Sequence, residues 1–594
     1  MKVFKMCVNG LTGYAAKPII WLVFGWRTPE IMRSSALRLV CGLGTGLLLF
    51  SGAGEWHRTA ALAGERQSDR STWLAQGSRG GNSASLVAAK PSPRQVSPMA
   101  KRGDYAIKFG TEYPEAAKRY QQVVASPPQL RAFLYAMPKG GDLHNHLSGA
   151  AYAEGLIRMG ASLGNCFDAK TTTVSPPPCT GATTPLSAAV QDAQLNRSLV
   201  NGWSMRSFLP SSGFSGHDQF FATFGRFSGV ATPAMMAQEV VDRAGRQRMR
   251  YIELMITFQG RAVAQLADQL NSQSPWNGDM DKFRAALLSS GLTQIVQTAV
   301  ADAAKLDADL RSAQGCARAN PSPGCGVTVR WLQQVTRTAP PWRVYAQTLF
   351  AAMLTKAAPS VVGFNFVAPE DDPVALADYS LQMRMIDHVL RDLPDTRVSL
   401  HAGELTMGLV PPEALLFHVR EAVTLGHARR IGHGVAVMYE TDSYGLLSEM
   451  ARRRIAVEIN LTSNAQILGV EGNQHPFPVY RAAGVPTLIS TDDEGISRID
   501  RTHELQRAVT TYALRWQDLL SLERNTLEYA FLPGDSLWAD TQSWRPVAAC
   551  AQATSSCDAF LARNQKARLQ WSLEQDLAVF NRTAASLQLP LSVR

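Results

Sequence analysis

The chain has 594 residues, of which 45% are hydrophobic and 18% charged, so it is ordinary globular material long enough to bury a large core. The formal net charge of +10 does not point to a polyanion groove. Residues 1–53 hold Lys2, Lys5, Lys17, Arg27, Arg33 and Arg38 against Glu30 alone, and the remaining excess is spread over the body without a long basic run.

In chain order, the first feature is a leader with the parts of a secretory signal. Arg33 and Arg38 precede an apolar run from Leu39 to Phe50, and Ser51 and Ala53 follow at the spacing a signal peptidase prefers. Cleavage is expected after Ala53, with Ala61-Leu62-Ala63 as a second candidate and Met32 as an alternative start. The run is about 12 residues long, short of the roughly 20 that span a bilayer, so no permanent membrane anchor is expected. Residues 54–100 are rich in Ser, Gly, Arg, Ala and Pro and read as a flexible linker. A helical segment over 101–137 follows, in which Ser126 precedes Pro127-Pro128 as the cap of a second short helix.

Eight strand candidates then alternate with helical patterns: Gly141–Leu147, Met249–Phe258, Thr328–Thr336, Val361–Val367, Arg397–His401, Arg430–His433, Ile455–Leu461 and Pro486–Asp492. Amphipathic stretches such as Asp372–Leu393 and Glu413–Leu425 lie between them. The alternation predicts an α/β protein built on a (β/α)8 TIM barrel over 138–534. An open doubly wound sheet would carry a glycine-rich phosphate turn after an early strand, and none is present. About 100 residues separate the first two strands, too many for a βα loop, so an insertion over about 155–230 is expected to lie over the barrel mouth. Its aromatic run, Phe208 to Phe227, reads as core, while His217-Asp218 either reaches the site or caps a helix. Residues 535–594 form a C-terminal disulfide loop and helix.

Without the leader, six cysteines remain in three close pairs, and nearest-neighbour pairing predicts the disulfides Cys166–Cys179, Cys316–Cys325 and Cys550–Cys557. Such bridges belong to an oxidising compartment, secreted or periplasmic.

The chemistry is carried by motifs that each end a predicted strand: His144-Asn145-His146, His401-Ala402-Gly403-Glu404, Gly432-His433-Gly434 and Thr491-Asp492-Asp493. Histidines at i and i+2 of a strand share a face. In a barrel, strand carboxyl ends converge, so residues about 350 positions apart meet. His144, His146, His401 and Asp492 make a nitrogen- and oxygen-rich set that suits zinc, leaving Glu404 and His433 as acid-base groups. Strand four carries Phe364-Asn365-Phe366 and no bridging lysine, which points to one metal rather than two.

On these motifs the chain resembles the adenosine deaminase branch of the amidohydrolase superfamily, most of all its secreted growth-factor-related members. MPKGGDLHNH, VSLHAGE, RIGHG, ISTDDEG and NTLEYAFLPG stand in the family order over roughly 137–534. The resemblance implies one zinc ion per chain on His144, His146, His401 and Asp492. It implies that Glu404 protonates the purine N1, that His433 orients or deprotonates the attacking water, and that Asp493 contacts N7. Two positions depart from the pattern: Ser148 stands where cytosolic members carry a ribose-binding aspartate, and Ala368 where many offer a glycine N–H to the purine N3. The activity implied is hydrolytic deamination of adenosine or 2′-deoxyadenosine to the inosine product and ammonia. Rival readings are another adenine compound as substrate, or an extracellular nucleoside-binding or signalling protein. The expected partner is a small purine nucleoside, with no nucleic acid; a homodimer is one candidate assembly, and the sequence leaves the oligomeric state open.

Overall fold

Eight segments are covered on both faces, as their nearly unbroken burial shows; most are apolar, whereas the first, Lys-Gly-Gly-Asp, is buried with no large apolar side chain. They are β1 (Lys139–Asp142), β2 (Met249–Ile256), β3 (Thr328–Thr336), β4 (Val361–Val367), β5 (Ser399–Ala402), β6 (Arg430–His433), β7 (Ala456–Ile459) and β8 (Thr487–Ile489). This computed structural model describes residues 113–586, so the predicted leader and linker lie outside the described residues.

β1 to β4 form one parallel four-stranded sheet in sequence order, and β5 to β8 form another. A parallel bridge between Phe364 and Val398 joins the two on one side. On the other side, a bridge between Asn145 and Asp492 closes the ring. Its hydrogen bonds run from Asp492 N to His144 O (2.9 Å) and from His146 N to Asp492 O (3.2 Å). The result is a closed parallel barrel with helices between its strands, and the eight predicted strands are its staves.

Local details differ from expectation for identifiable reasons. Regular pairing of β1 stops at Asp142, before the predicted Leu147, because the Asp142 carboxylate turns back to accept from His144 N (3.4 Å) and from Thr491 Oγ1 (2.6 Å). Ser126 occupies the N-cap of helix Pro127–Ala136, but its side chain makes no capping bond. Pro128 stands at a position whose amide such a cap would bind. The predicted amphipathic stretch Glu413–Leu425 is split into a 3-10 turn, Pro412–Leu415, and a helix, His418–Thr424. The break falls where His418 turns inward to Glu370 and Glu440 accepts from Val419 N. Helix Pro373–Leu390 begins as expected, with Asp372 accepting from Val374 N.

The segment after β1 holds a small antiparallel sheet of Val174–Ser175, Cys166–Phe167 and Thr184–Pro185, together with helices Ala193–Gly202 and Gly216–Phe227. Phe220, Phe227 and Trp203 are buried in it. It rests on the carboxyl-end loops of the barrel: Met205 N donates to Ile496 O (2.9 Å) beyond β8, and His217 Nε2 lies 3.0 Å from Asp371 Oδ1 beyond β4. Asp218 completes a capping box with Ser215, so of the neighbouring pair His217 reaches across the mouth and Asp218 caps. The disulfides Cys166–Cys179, Cys316–Cys325 and Cys550–Cys557 all form. Among the described residues, no helix is long and apolar enough to cross a membrane.

Inside the barrel, below the mouth, Arg430 of β6 is held between Glu253 of β2 and Glu458 of β7, all three fully buried. Its guanidinium also stacks 3.7 Å over the Phe531 ring and donates to Tyr529 O at 2.9 Å. Removing one partner of a buried ion group leaves uncompensated charge, at a cost of about 3–5 kcal/mol. Arg430→Met, which conserves much of the volume, is therefore expected to lower the thermal midpoint markedly; a calorimetric scan showing an unchanged midpoint would refute the role assigned to this triad.

Candidate metal and catalytic site

Each candidate side chain is aimed inward by the backbone at the end of its strand. Several of these positions lie in the left-handed region: Ala368 after β4 (φ +82°), Gly403 after β5 (+70°), His433 at the end of β6 (+68°) and Asp492 after β8 (+58°). Three of the four are not glycine, a concentration of local strain characteristic of functional sites.

The four donors meet. His401 Nε2 lies 3.1 Å from His144 Nε2 and 3.2 Å from His146 Nε2, and Asp492 Oδ1 lies 3.5 and 3.3 Å from the same two nitrogens. These separations match the edge of a tetrahedron with metal–ligand bonds of about 2.0–2.1 Å, roughly 3.3 Å. Gly432 makes the approach possible, because a Cβ there would fall 2.5 Å from the His144 ring.

The hydrogen bonds behind the donors show that the set fits a cation. His144 Nδ1 donates to Glu458 Oε2 (2.7 Å). His401 Nδ1 donates to Asn365 Oδ1 (2.8 Å), which also accepts from His401 N (3.0 Å). With both Nδ1 protons committed, the neutral rings would face each other lone pair to lone pair across 3.1 Å, which only a cation between them relieves. Burial opposes a charged imidazole at His144, yet Asp492 and Glu458 outweigh it and push that ring up to about 10. The pocket thus demands positive charge. Gln334 completes the outer layer, with its carboxamide 3.2 Å from His146 Nδ1 and its other end bonded to the Thr257 hydroxyl.

Beside the donors lie Glu404, His433 and Asp493. Glu404 Oε1 is 3.3 Å from His433 Nδ1 without being hydrogen-bonded to it, and His433 Nε2 is 3.9 Å from Asp492 Oδ2. Glu404 Oε1, His433 Nε2 and Asp493 Oδ1 are buried and have no hydrogen-bond partner in the protein. Such orphans mark where a water or substrate atom belongs. Burial, followed by the charge of Asp492, pushes both the Glu404 and Asp493 carboxyls well above the usual range, which favours their protonated forms. Burial also pushes His433 down to about 3, which leaves it neutral. Glu404, His146 and His401 keep 8%, 8% and 6% of their surface while His144 and His433 keep none, so access is from the Glu404 side.

Of the remaining candidates, Ala368 carries the glycine-like backbone expected of that position and is half-buried. Ser148 lies half-buried in the one-turn helix Leu147–Ala150. Its neighbour Gly149 makes room for Asp493, whose Oδ1 would lie 1.6 Å from a Cβ at that position. Neither Ala368 nor Ser148 belongs to the donor cluster.

Sequence reasoning missed the supporting groups. Glu370 accepts from Gly403 N (2.9 Å), Glu404 N (2.8 Å) and His418 Nδ1 (2.6 Å), while Arg337 donates to His401 O (2.7 Å). Together they hold the turn that carries Glu404. The one visible signal was a charged residue inside an apolar strand, Glu458 in Ile455–Leu461. Asn365 was noted only for not being a lysine.

Fold and donor set define a class: a (β/α)8 barrel with a metal-binding centre at its mouth. Residues 232–538, just over half of the chain, match the family described as adenosine deaminase, and the chain belongs to that family. An adenosine deaminase of Enterococcus faecalis is 34% identical over 178 residues, which is 30% of this chain and 47% of that protein. One from Vibrio atlanticus is 31% identical over 136 residues, 23% of this chain and 38% of that protein. The chain thus spans less than half the length of these relatives. Among solved structures, the adenine deaminase of Arthrobacter aurescens covers 75% of this chain and 99% of its own at 14% identity, with a TM-score of 0.45. His144 and His146 precede the stretch matched by the family, and barrel closure supplies them to the centre.

Orienting groups behind metal-ligating histidines are worth roughly 10- to 100-fold in metal affinity. Asn365→Ala is expected to weaken zinc binding by about that factor, measured by competition with a chromogenic chelator. An unchanged affinity would refute the orienting role given to Asn365.

Proposed function

We propose that this protein catalyses hydrolytic deamination of a purine nucleoside, adenosine or 2′-deoxyadenosine, with one zinc ion held by His144, His146, His401 and Asp492. The observation that carries the reading is that buried, unpartnered atoms of Glu404 and His433 stand beside that donor set, with a third on Asp493, the residue after the donor Asp492. Bound zinc supplies the acidification of water that yields a nucleophile near neutral pH. Protonated Glu404 gives its proton to the purine N1, which makes C6 electrophilic; the water oxygen adds to C6, and of the two protons it gives up one restores Glu404 and the other passes to the exocyclic amino group, whose bond to C6 breaks as ammonia leaves. Neutral, protonated Asp493 donates to the N7 lone pair, a role that an ionised carboxylate could not fill. His433 orients the water.

A nucleoside is favoured over a nucleotide because three candidates for a phosphate clamp, Arg206, Arg226 and Arg498, are already engaged. Arg498 is gripped through both terminal nitrogens by Glu154, at 2.6 and 2.8 Å. Arg226 is held by Gly202 O and Gln219, and Arg206 by Asn201 and Arg197 O. Ribose contacts are assigned to the inserted segment, where His217 leans on the loop carrying Ala368 and Glu370, and to Ser148. The three disulfides support an exported protein.

Glu404→Gln keeps volume and hydrogen-bonding reach but cannot shuttle a proton, whereas His401→Ala removes a ligand. The first should lose at least about a hundredfold in kcat and keep about one zinc per chain; the second should lose both. Metal analysis beside ammonia release from adenine, adenosine, 2′-deoxyadenosine and AMP decides the matter. Full activity in Glu404→Gln, or no release from any of the four by the unaltered protein, would refute the reading. His217→Ala should raise KM for adenosine several-fold while kcat changes by less than about twofold, on the scale of one lost polar contact. Steady-state kinetics with an unchanged KM would exclude His217 from nucleoside binding.

A further inference from the structure

Behind His433 runs a buried chain of hydrogen bonds whose direction can be assigned from one end. Phe477 N donates to His475 Nδ1 at 3.1 Å. A backbone N–H can only donate, so His475 Nδ1 carries a lone pair. Burial and the nearby Arg507 push His475 down to about 4, so its ring is neutral and its single proton is on Nε2. That Nε2 lies 3.0 Å from the Asn464 carboxamide and must meet the acceptor, Oδ1. The Asn464 amino group is thereby turned to His433 Nδ1, at 2.8 Å. His433 Nδ1 therefore accepts, and the proton of the neutral ring is on Nε2, the atom left without a partner in the site. His433, Asn464 and His475 are all buried, with 0%, 0% and 2% of their surface exposed, so bulk solvent does not scramble the assignment.

We infer that Asn464 and His475 are positioning residues that fix the tautomer of His433, so that it presents an Nε2–H donor, and not a lone pair, to the attacking oxygen. The inference rests on the deaminase reading for its consequence, since it chooses orientation of the water over deprotonation by His433. It also keeps the proton of Glu404 separate, because the one lone pair of His433 Nδ1, 3.3 Å from Glu404 Oε1, is already engaged by the Asn464 amino group. A tautomer held by a hydrogen-bonding neighbour is a strong lever: in serine proteases, the wrong tautomer of the catalytic histidine costs about 10⁴ in kcat with geometry intact.

The test is Asn464→Asp. It conserves shape but offers acceptors on both sides, so a proton is drawn to His433 Nδ1, and the neutral ring then turns a lone pair to the site. The expected result is a kcat lower by about a hundredfold or more, with zinc content unchanged and KM within about threefold. Asn464→Ala, which imposes no tautomer, should be the milder variant, the reverse of the order expected if residue 464 merely filled space. Nitrogen NMR of histidine-labelled zinc protein, with His433→Ala to assign the ring, should show protonated Nε2 and unprotonated Nδ1 in the parent. A protonated Nδ1 in the parent overturns the proposal, as does an Asn464→Asp protein that retains kcat within about tenfold. The NMR measurement does not depend on turnover, so an absence of ammonia release would strike the deaminase reading and leave the tautomer assignment to be judged separately.

Discussion

The seam between β8 and β1 is the constraint on which the rest depends. Two hydrogen bonds there, from Asp492 N to His144 O and from His146 N to Asp492 O, close the barrel. The same residues supply three of the four donors to the metal centre. Closing the fold and assembling the site are thus one event. A ring of parallel strands has no free edge only if its first and last members pair, and here that pairing joins segments at opposite ends of the catalytic unit. The short β1 and the left-handed Asp492 follow from this geometry: the chain must leave regular pairing in order to turn donor atoms inward.

From that seam a line of buried charge runs down the barrel axis. His144 leans on Glu458, Glu458 on Arg430, and Arg430 on Glu253. Buried ion groups contribute little net stability because desolvation offsets the Coulombic gain. Their use here is positional, since a carboxylate held by Arg430 cannot turn away from His144. A second buried group does the same for the acid side of the site: Glu370 is kept ionised against its burial by His418 and Arg337, and it fixes the Gly403–Glu404 amides. Its charge, after burial and the charge of Asp492, also pushes the Glu404 carboxyl upward. One low-dielectric interior thus orients the ligands and sorts the carboxyl groups into charged and neutral.

The histidines divide along the same lines. Of the three in the candidate metal set, two have their far nitrogen backed by an acceptor, Glu458 for His144 and Asn365 for His401, while His146 Nδ1 faces the Gln334 carboxamide. His433 has its far nitrogen backed by a donor, Asn464. Identical side chains a few ångströms apart, with ring centroids 4.9 Å apart for His144 and His433, acquire opposite near-side character from what stands behind them.

The sequence by itself determined the strand order, the motifs at the strand ends and the cysteine pairing, because each is local. Alternation of apolar runs with helical periodicity marks a strand wherever it occurs, and His144-Asn145-His146 or Thr491-Asp492-Asp493 can be read within a few residues. Short disulfide loops need no distant information either. Only the tertiary structure decided which groups stand behind the ligands: Asn365, Glu458, Gln334, Glu370 and the pair Asn464 and His475. Apart from Glu458, a charge inside an apolar strand, these are single polar residues on other strands and loops, without a spacing that distinguishes them from polar residues facing solvent. Their meaning comes from burial and from a partner tens or hundreds of positions away, and a hydrogen bond's direction depends on three-dimensional neighbours that no local pattern encodes.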